Sequence, residues 1–263
     1  MARGRFANLP FWSVLALATG AYLLFILAIL AATARYSTPE RLWLALASRE
    51  IRYSISLSLI TCTLTALLSL LLAVPAGYLL ARGRFPGRAV VEALIDIPIV
   101  LPPMVLGLCL LIFFQTAAGH FLERAVPFTY TVYGVVLAQF TIGAAFAVRT
   151  MRQTFEQLSA RPEEVALTLG CSRAQAVWHV TVPCARSGMF AAASVAWARS
   201  LGEFGPILVF AGATRLKTEV LPTTVWLELS VGNLEAAVAV SILLVGLAMA
   251  VLIAVRLTGE KLG

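Results

Sequence analysis

Six apolar runs, at roughly 11–33, 53–81, 92–114, 130–148, 187–211 and 234–256, constrain this chain more than anything else in it. Each is about as long as the ~20 residues a helix needs to cross the hydrocarbon core of a bilayer. The chain has 263 residues, of which 60% are hydrophobic and 13% charged. A soluble core of that size cannot bury so much apolar surface, so lipid has to supply the missing solvent. Within lipid each segment must satisfy its own backbone N–H and C=O groups, which makes the runs helices. The expected fold class is all-α, a polytopic membrane protein with six transmembrane helices.

The formal charge is +7, a balance for which nucleic acid is the first partner to weigh. The basic residues sort by membrane side instead. With the amino terminus in the cytoplasm, Arg82, Arg84 and Arg88 fall in one short inner loop that carries no acid. Arg149, Arg152, Arg161, Arg173 and Arg186 fall in a second, and Arg3, Arg5, Arg256 and Lys261 join them at the ends. The outer side receives fewer: Arg35, Arg41, Arg49, Arg52, Arg124, Arg215 and Lys217. This is the positive-inside bias. It predicts both termini in the cytoplasm and no nucleic-acid partner. Arg3, Arg5 and the Ala32-Thr33-Ala34 stretch imitate a secretory signal, but the apolar run between them exceeds the ~7–15 residues of a signal core. It is read as the first span.

The cysteines, Cys62, Cys109, Cys171 and Cys184, have no paired spacing. The nearest approach to a metal set, Cys171, His179 and Cys184, matches no zinc pattern, and no metal site is expected. Pro75 lies deep in the second run, and Pro98, Pro102 and Pro103 crowd the third. Proline removes a helix hydrogen bond and kinks its helix. Two readings stay open for these prolines, simple bundle geometry or bent segments that line a pathway. Asp96, near the start of the third run, is read as part of an inner ion pair or a cap rather than a proton relay.

No soluble domain, low-complexity tract or internal repeat interrupts the spans. The longest connection, from Arg149 to about Arg186, is structured. Pro162, Glu163 and Glu164 suit a first helical turn, where proline fits and carboxylates meet the positive end of the dipole. Val165, Ala166 and Leu169 follow as an apolar face at helical spacing, and Gly170 permits a turn. A second amphipathic stretch from Arg173 to Val180 leads through Trp178 and Val182 to Pro183. The expectation is a stiff helix–turn–helix elbow on the cytoplasmic side.

At this elbow the sequence resembles the permease subunits of binding-protein-dependent ABC importers. Their cytoplasmic signature begins Glu-Ala-Ala, places Gly four residues after the second Ala, and ends in an Ile-x-Leu-Pro-like tail. Glu164-Val165-Ala166, Gly170 and Val180-Thr181-Val182-Pro183 stand at those spacings. Val165 replaces Ala, Val180 replaces Ile and Val182 replaces Leu. The stretch Ala198-Arg199-Ser200-Leu201-Gly202-Glu203-Phe204-Gly205 is similar to one in molybdate and tungstate permeases, with sulfate permeases close behind. So are Ile97-Pro98-Ile99-Val100-Leu101-Pro102-Pro103 with Gly107, and Thr218-Glu219-Val220-Leu221-Pro222. The resemblance implies a type I importer (MetI-like) permease fold in a bacterial or archaeal cell (inner) membrane. It implies a homodimeric channel, two ATP-binding cassette ATPase subunits on the cytoplasmic face, and an extracytoplasmic oxyanion-binding protein. The corresponding division of the chain is an amino-terminal helix and outer loop (1–50), a five-helix transporter domain (51–256) with its coupling loop at 150–185, and a cytoplasmic tail (257–263). The coupling residues would be Glu164, Val165, Ala166, Gly170 and Pro183, with Ala166 allowing close approach of the partner.

No Gly-x-x-x-x-Gly-Lys-Ser/Thr loop is present to cradle a nucleotide, and no nucleophile–base arrangement is apparent. The chain is therefore expected to have no catalytic residue and no cofactor of its own, with ATP and Mg held by the partner ATPase. Arg199 and Glu203 stand at i, i+4 in an apolar run, a spacing that lets them neutralise each other. A mid-membrane charge costs about 2.5–3.5 kcal/mol on insertion scales, so such residues pair and face the bundle interior. Either the pair locks the fifth span, or Arg199 guides an anion or holds a gate. Gly202, Gly205, Pro102 and Pro103 are the other candidates for the pathway. The competing functions are a sulfate or thiosulfate importer, a stand-alone secondary carrier, for which the inverted repeats typical of many carriers are missing, and an intramembrane enzyme, for which a catalytic constellation is missing.

Overall fold

The computed structural model describes residues 9–36 and 38–259, and among them every regular element is helical. In chain order these are α1 (Leu9–Tyr36), α2 (Pro39–Ala47), α3 (Arg49–Arg82), α4 (Arg88–Val100), α5 (Pro103–Phe114), α6 (Ala117–Ala125) and α7 (Val132–Gln157). Then come α8 (Arg161–Thr168), α9 (Arg173–Ala176), a π-helical turn (Val177–Thr181), α10 (Val182–Cys184), α11 (Arg186–Leu201), α12 (Gly205–Phe210), α13 (Leu221–Ser230) and α14 (Leu234–Gly259).

The core is a three-helix cluster of α3, α7 and α11. On α3 the buried face reads Ser54, Ser58, Thr61, Thr65, Ser69, Ala73, Gly77 and Leu80, a stripe of mostly small residues at helical spacing. The large apolar side chains point the other way: Ile60 and Leu67 are each 56% exposed and Leu71 is 74% exposed. This reverses the pattern of a soluble helix. In a bilayer, lipid is as apolar as leucine, so helices are held together by close backbone approach and interhelical hydrogen bonds, which small residues allow. Ala147, Met151 and Phe155 of α7 and Ala192 and Ala196 of α11 complete the packed centre.

Four of the six runs form continuous helices long enough to span: α1, α3, α7 and α14. The third run is not one helix. It divides into α4 and α5, bent by 113° at Leu101–Pro102. Pro102 forces Leu101 out of the helical region (ψ 141°), and Pro103 then opens α5 at a position where a missing N–H costs nothing. The fifth run is likewise interrupted. The 16-residue α11 ends at Leu201, and the six-residue α12 starts at Gly205-Pro206. Pro75, by contrast, is absorbed within the continuous α3. α14 carries the chain to Gly259, and Arg3, Arg5 and Lys261, used above to orient the chain, lie outside the described residues.

Candidate functional site

The elbow grows directly out of α7. α8 starts on Arg161-Pro162 with Glu163 and Glu164 in its first turn. It stops in a Schellman-type cap: Gly170 N–H bonds Leu167 O (3.1 Å) and Cys171 N–H reaches back to Ala166 O (3.1 Å). Gly170 has φ +91°, a left-handed conformation that glycine adopts without strain. Ser172 and Gln175 then form a capping box for α9. From there the second arm is continuous through the π turn to Pro183, rather than the separate Arg173–Val180 helix of the sequence reading. A π turn just before a proline is a local adjustment of the kind often found at functional sites.

The apolar residues of α8 do not share one face. Ala166 turns inward and is 8% exposed, whereas Val165 and Leu169, one turn apart, are 56% and 79% exposed. Ala166 is thus not among the side chains that the elbow presents outward. Glu164 is exposed beside Val165, and Gly170 closes the turn. Pro183 lies in the second arm.

The two acids of the first turn also diverge. Glu163, which the motif does not include, is half-buried and accepts from the Tyr78 hydroxyl (2.6 Å) and the Thr181 hydroxyl (2.9 Å). Near the same end of the bundle, Arg88 and Arg152 alternate with Glu92 and Glu156 at 2.7–3.6 Å, joining α4 to the last turns of α7. Asp96 takes no part in these ion pairs. It lines a cavity of about 220 Å³ with Arg149 and Arg152.

The second constellation lies where the two broken runs cross. α12 packs on α5. A Cβ on Gly107 would stand 2.8 Å from the Pro206 Cα, and one on Gly205 would stand 3.0 Å from the Met104 N. Each glycine thus admits the backbone of the other segment, bringing Pro102, Pro103 and Gly205 together. Arg199 and Glu203 do meet, at 2.7 Å, but not along one helix, because α11 has already ended between them. The Glu203 side chain is 3% exposed and that of Arg199 is 43% exposed, with its guanidinium 5.0 Å from the centre of the Phe146 ring. Gly202, the cap residue of α11, faces open space apart from its own turn.

Sequence reasoning missed the group that holds this break. Gln139, buried in the first third of α7, donates to Ser200 O (3.1 Å) and accepts from the Thr65 hydroxyl (3.3 Å). It joins all three core helices and adds a second donor to a carbonyl in the last turn of α11 that also accepts from Glu203 N–H (3.2 Å). A lone glutamine in an apolar run was the available signal. The Thr218–Leu221 stretch is buried too: Leu221 N–H donates to Ser58 Oγ (2.9 Å) and Tyr53 donates to Lys217 O (3.2 Å), tying the loop to α3.

The family model described as "Binding-protein-dependent transport system inner membrane component" matches residues 73–260 of this chain, a stretch that contains both constellations. A probable molybdenum ABC transporter permease protein of Haloferax volcanii is 33% identical over 245 residues, covering 93% of this chain and 89% of its own. A sulfate transport system permease protein of Salmonella typhimurium is 33% identical over 189 residues, covering 71% and 68%. Among solved structures, a bacterial alginate ABC transporter in complex with a pentasaccharide-bound periplasmic protein superposes with a TM-score of 0.75 over 97% of this chain and 95% of that one. At 15% identity it shares the fold alone.

Proposed function

The chain belongs to the family of binding-protein-dependent transport system inner membrane components, and we propose that it forms the transmembrane pathway for a tetrahedral oxyanion, molybdate or tungstate. It is a multi-pass permease subunit of an ABC importer. In this reading an extracytoplasmic binding protein delivers the anion, two ATPase subunits supply ATP and Mg from the cytoplasmic face, and a second copy of the chain completes the channel. The chain itself holds no nucleotide and performs no catalysis. Both termini are cytoplasmic, and the transporter domain is 51–256.

The observation that carries the reading is the elbow. A short helix with Glu164, Val165 and Leu169 outward and an ordered turn behind it is a shape that fits a groove on a soluble motor. Glu164, Val165, Ala166, Gly170 and Pro183 are its coupling residues, with Ala166 acting from inside and Pro183 exposed on the second arm. Arg199, half-exposed beside the helix break, is the cation placed to guide an anion. Gly202, Glu203, Gly205, Pro102 and Pro103 frame that break. Sulfate is the second reading, because the sulfate permease is as similar in identity as the molybdenum one.

Reconstitution with the ATPase and binding protein tests both levels. Uptake of labelled molybdate is expected to require both partners. Glu164→Lys and Gly170→Leu are expected to insert normally but lose ATP-driven uptake by more than roughly tenfold, as a reversed charge or a strained turn disrupts docking. Normal uptake by both variants, or uptake by the chain alone, sinks the docking reading. Calorimetry of the binding protein with molybdate, tungstate and sulfate decides the anion.

A further inference from the structure

We propose that Glu163 is the positioning residue that fastens the elbow to α3, so that a push on the elbow moves that helix instead of being absorbed in the loop. This inference rests on the docking reading above and concerns a different face of the same element.

α8 packs mainly on the π turn and α9 of its own elbow. Its polar tie to the membrane bundle is the bond from Tyr78 to Glu163. Tyr78 and Arg82 stand one turn apart on α3, so they share a face. Arg82 donates to Leu158 O (2.6 Å), in the chain entering the elbow, and Tyr78 donates to Glu163, in its first helix. Thr181, in the arm leaving the elbow, donates to the other Glu163 oxygen. One carboxylate therefore joins the incoming helix, the outgoing arm and α3. The attachment point is three residues beyond Pro75, where α3 lacks a helical hydrogen bond and is most readily bent. The ring of Tyr78 is held edge-on against Phe155, near the end of α7, at 5.6 Å, which limits its own freedom.

The chemistry favours glutamate at this position. An ionised carboxylate offers an acceptor to each hydroxyl, and such charge-assisted bonds are stronger than neutral ones. Glutamine has one acceptor oxygen and no charge, so Glu163→Gln at constant size removes both charge-assisted bonds and forces at least one hydroxyl to turn from donor to acceptor. The next residue, Glu164, is exposed and free to meet a partner. Adjacent acids thus divide the work, one facing the bundle and one facing out.

The test uses the full chain in two settings. In proteoliposomes with the ATPase and binding protein, Tyr78→Phe and Glu163→Gln are each expected to retain the bound ATPase. Each should lower the number of anions moved per ATP by roughly tenfold, the scale of one charged hydrogen bond. The double variant should fall no further than the lower single one, since both changes cut the same link. In liposomes holding the permease alone, a spin label on Cys171, exposed beside Gly170, reports the elbow directly in a Cys109→Ser, Cys184→Ser background. Its motion should be restricted in the parent and faster in Glu163→Gln and Tyr78→Phe. Unchanged label motion and an unchanged transport ratio overturn the proposal, as does a purely additive double variant. The label needs no ATPase, so it separates failure here from failure of the docking reading, which the Glu164→Lys result decides.

Discussion

Gln139 shows what a polar side chain inside a membrane bundle has to do. Its amide pairs with a carbonyl in the last turn of α11 and with a hydroxyl of α3. Gln139→Leu keeps the size but removes both links; Ser200 O retains Glu203 N–H and Thr65 retains Val136 O, so the loss is that of the bonds themselves, about 0.5–1.5 kcal/mol each. A clear fall in the melting temperature of the detergent-purified protein is the expected outcome, and an unchanged one would show that another group takes over. Glu219, in the loop between α12 and α13, is the opposite case. It is 1% exposed, and its two oxygens find no hydrogen-bond partner among the described residues. Burial pushes its carboxyl above the ordinary range; the nearby Thr224 and Arg215 oppose the shift, and Glu228 and Glu50 add to it. A folded-state value above the unfolded one gives stability that is full below the unfolded pKa of about 4.3 and is lost as pH rises through the folded value. Glu219→Gln removes that loss. The melting temperature of the variant should therefore exceed the parent's by a margin that grows as pH climbs from 4 to 7, and a margin independent of pH would refute the assignment. At this scale the sequence was half legible. Spacing alone paired Arg199 with Glu203, but it could not say which of Glu163 and Glu164 faces the bundle, because that depends on how α8 is rotated against its neighbours.

Among the elements, the breaks matter more than the helices. Hydropathy registers an apolar stretch whether or not the helix inside it is continuous, so 92–114 and 187–211 were read as single spans. Pro102-Pro103 marked the first break, and Gly205-Pro206 carried the same information for the second. What no local pattern encodes is the 113° between α4 and α5, or that α5 packs on α12. The crossing has a sharp test. Gly107→Val and Gly205→Val each force side-chain atoms against opposing backbone, and overpacking of this kind costs about 1–3 kcal/mol. Both variants should insert in normal amounts yet import poorly. Gly246→Ala, in α14 and away from the crossing, is the control, since its added methyl meets nothing within 4 Å. Loss of transport in the control, or normal transport in both valine variants, would separate the crossing from the pathway.

For the whole molecule, the arrangement across the bilayer links these parts into a transporter. The elbow and the Arg88–Glu156 ion pairs gather near one end of α3 and α7. Tyr53 ties the opposite end of α3 to the α12–α13 loop, which carries Arg215. The helix breaks lie between them in the chain's packing, beside Gln139 in the first third of α7. Packed helices thus run without interruption from the elbow to the two breaks. α1 stands apart: its spanning window buries nothing and touches mainly α14, so its surroundings are lipid or another chain. Direction is what remains to be measured, and the cysteines are placed to measure it. Cys62 is buried, Cys109 lies in the apolar α5, and Cys171 and Cys184 are exposed in the elbow. A membrane-impermeant maleimide should label inside-out vesicles strongly and right-side-out vesicles hardly at all, with Cys171→Ser removing much of the signal. Positive charge clustered around the elbow demands that result, because cytoplasmic loops retain Lys and Arg. Labelling from the outer side would place the elbow beyond reach of any ATP-driven partner and undo the coupling mechanism while leaving the fold intact.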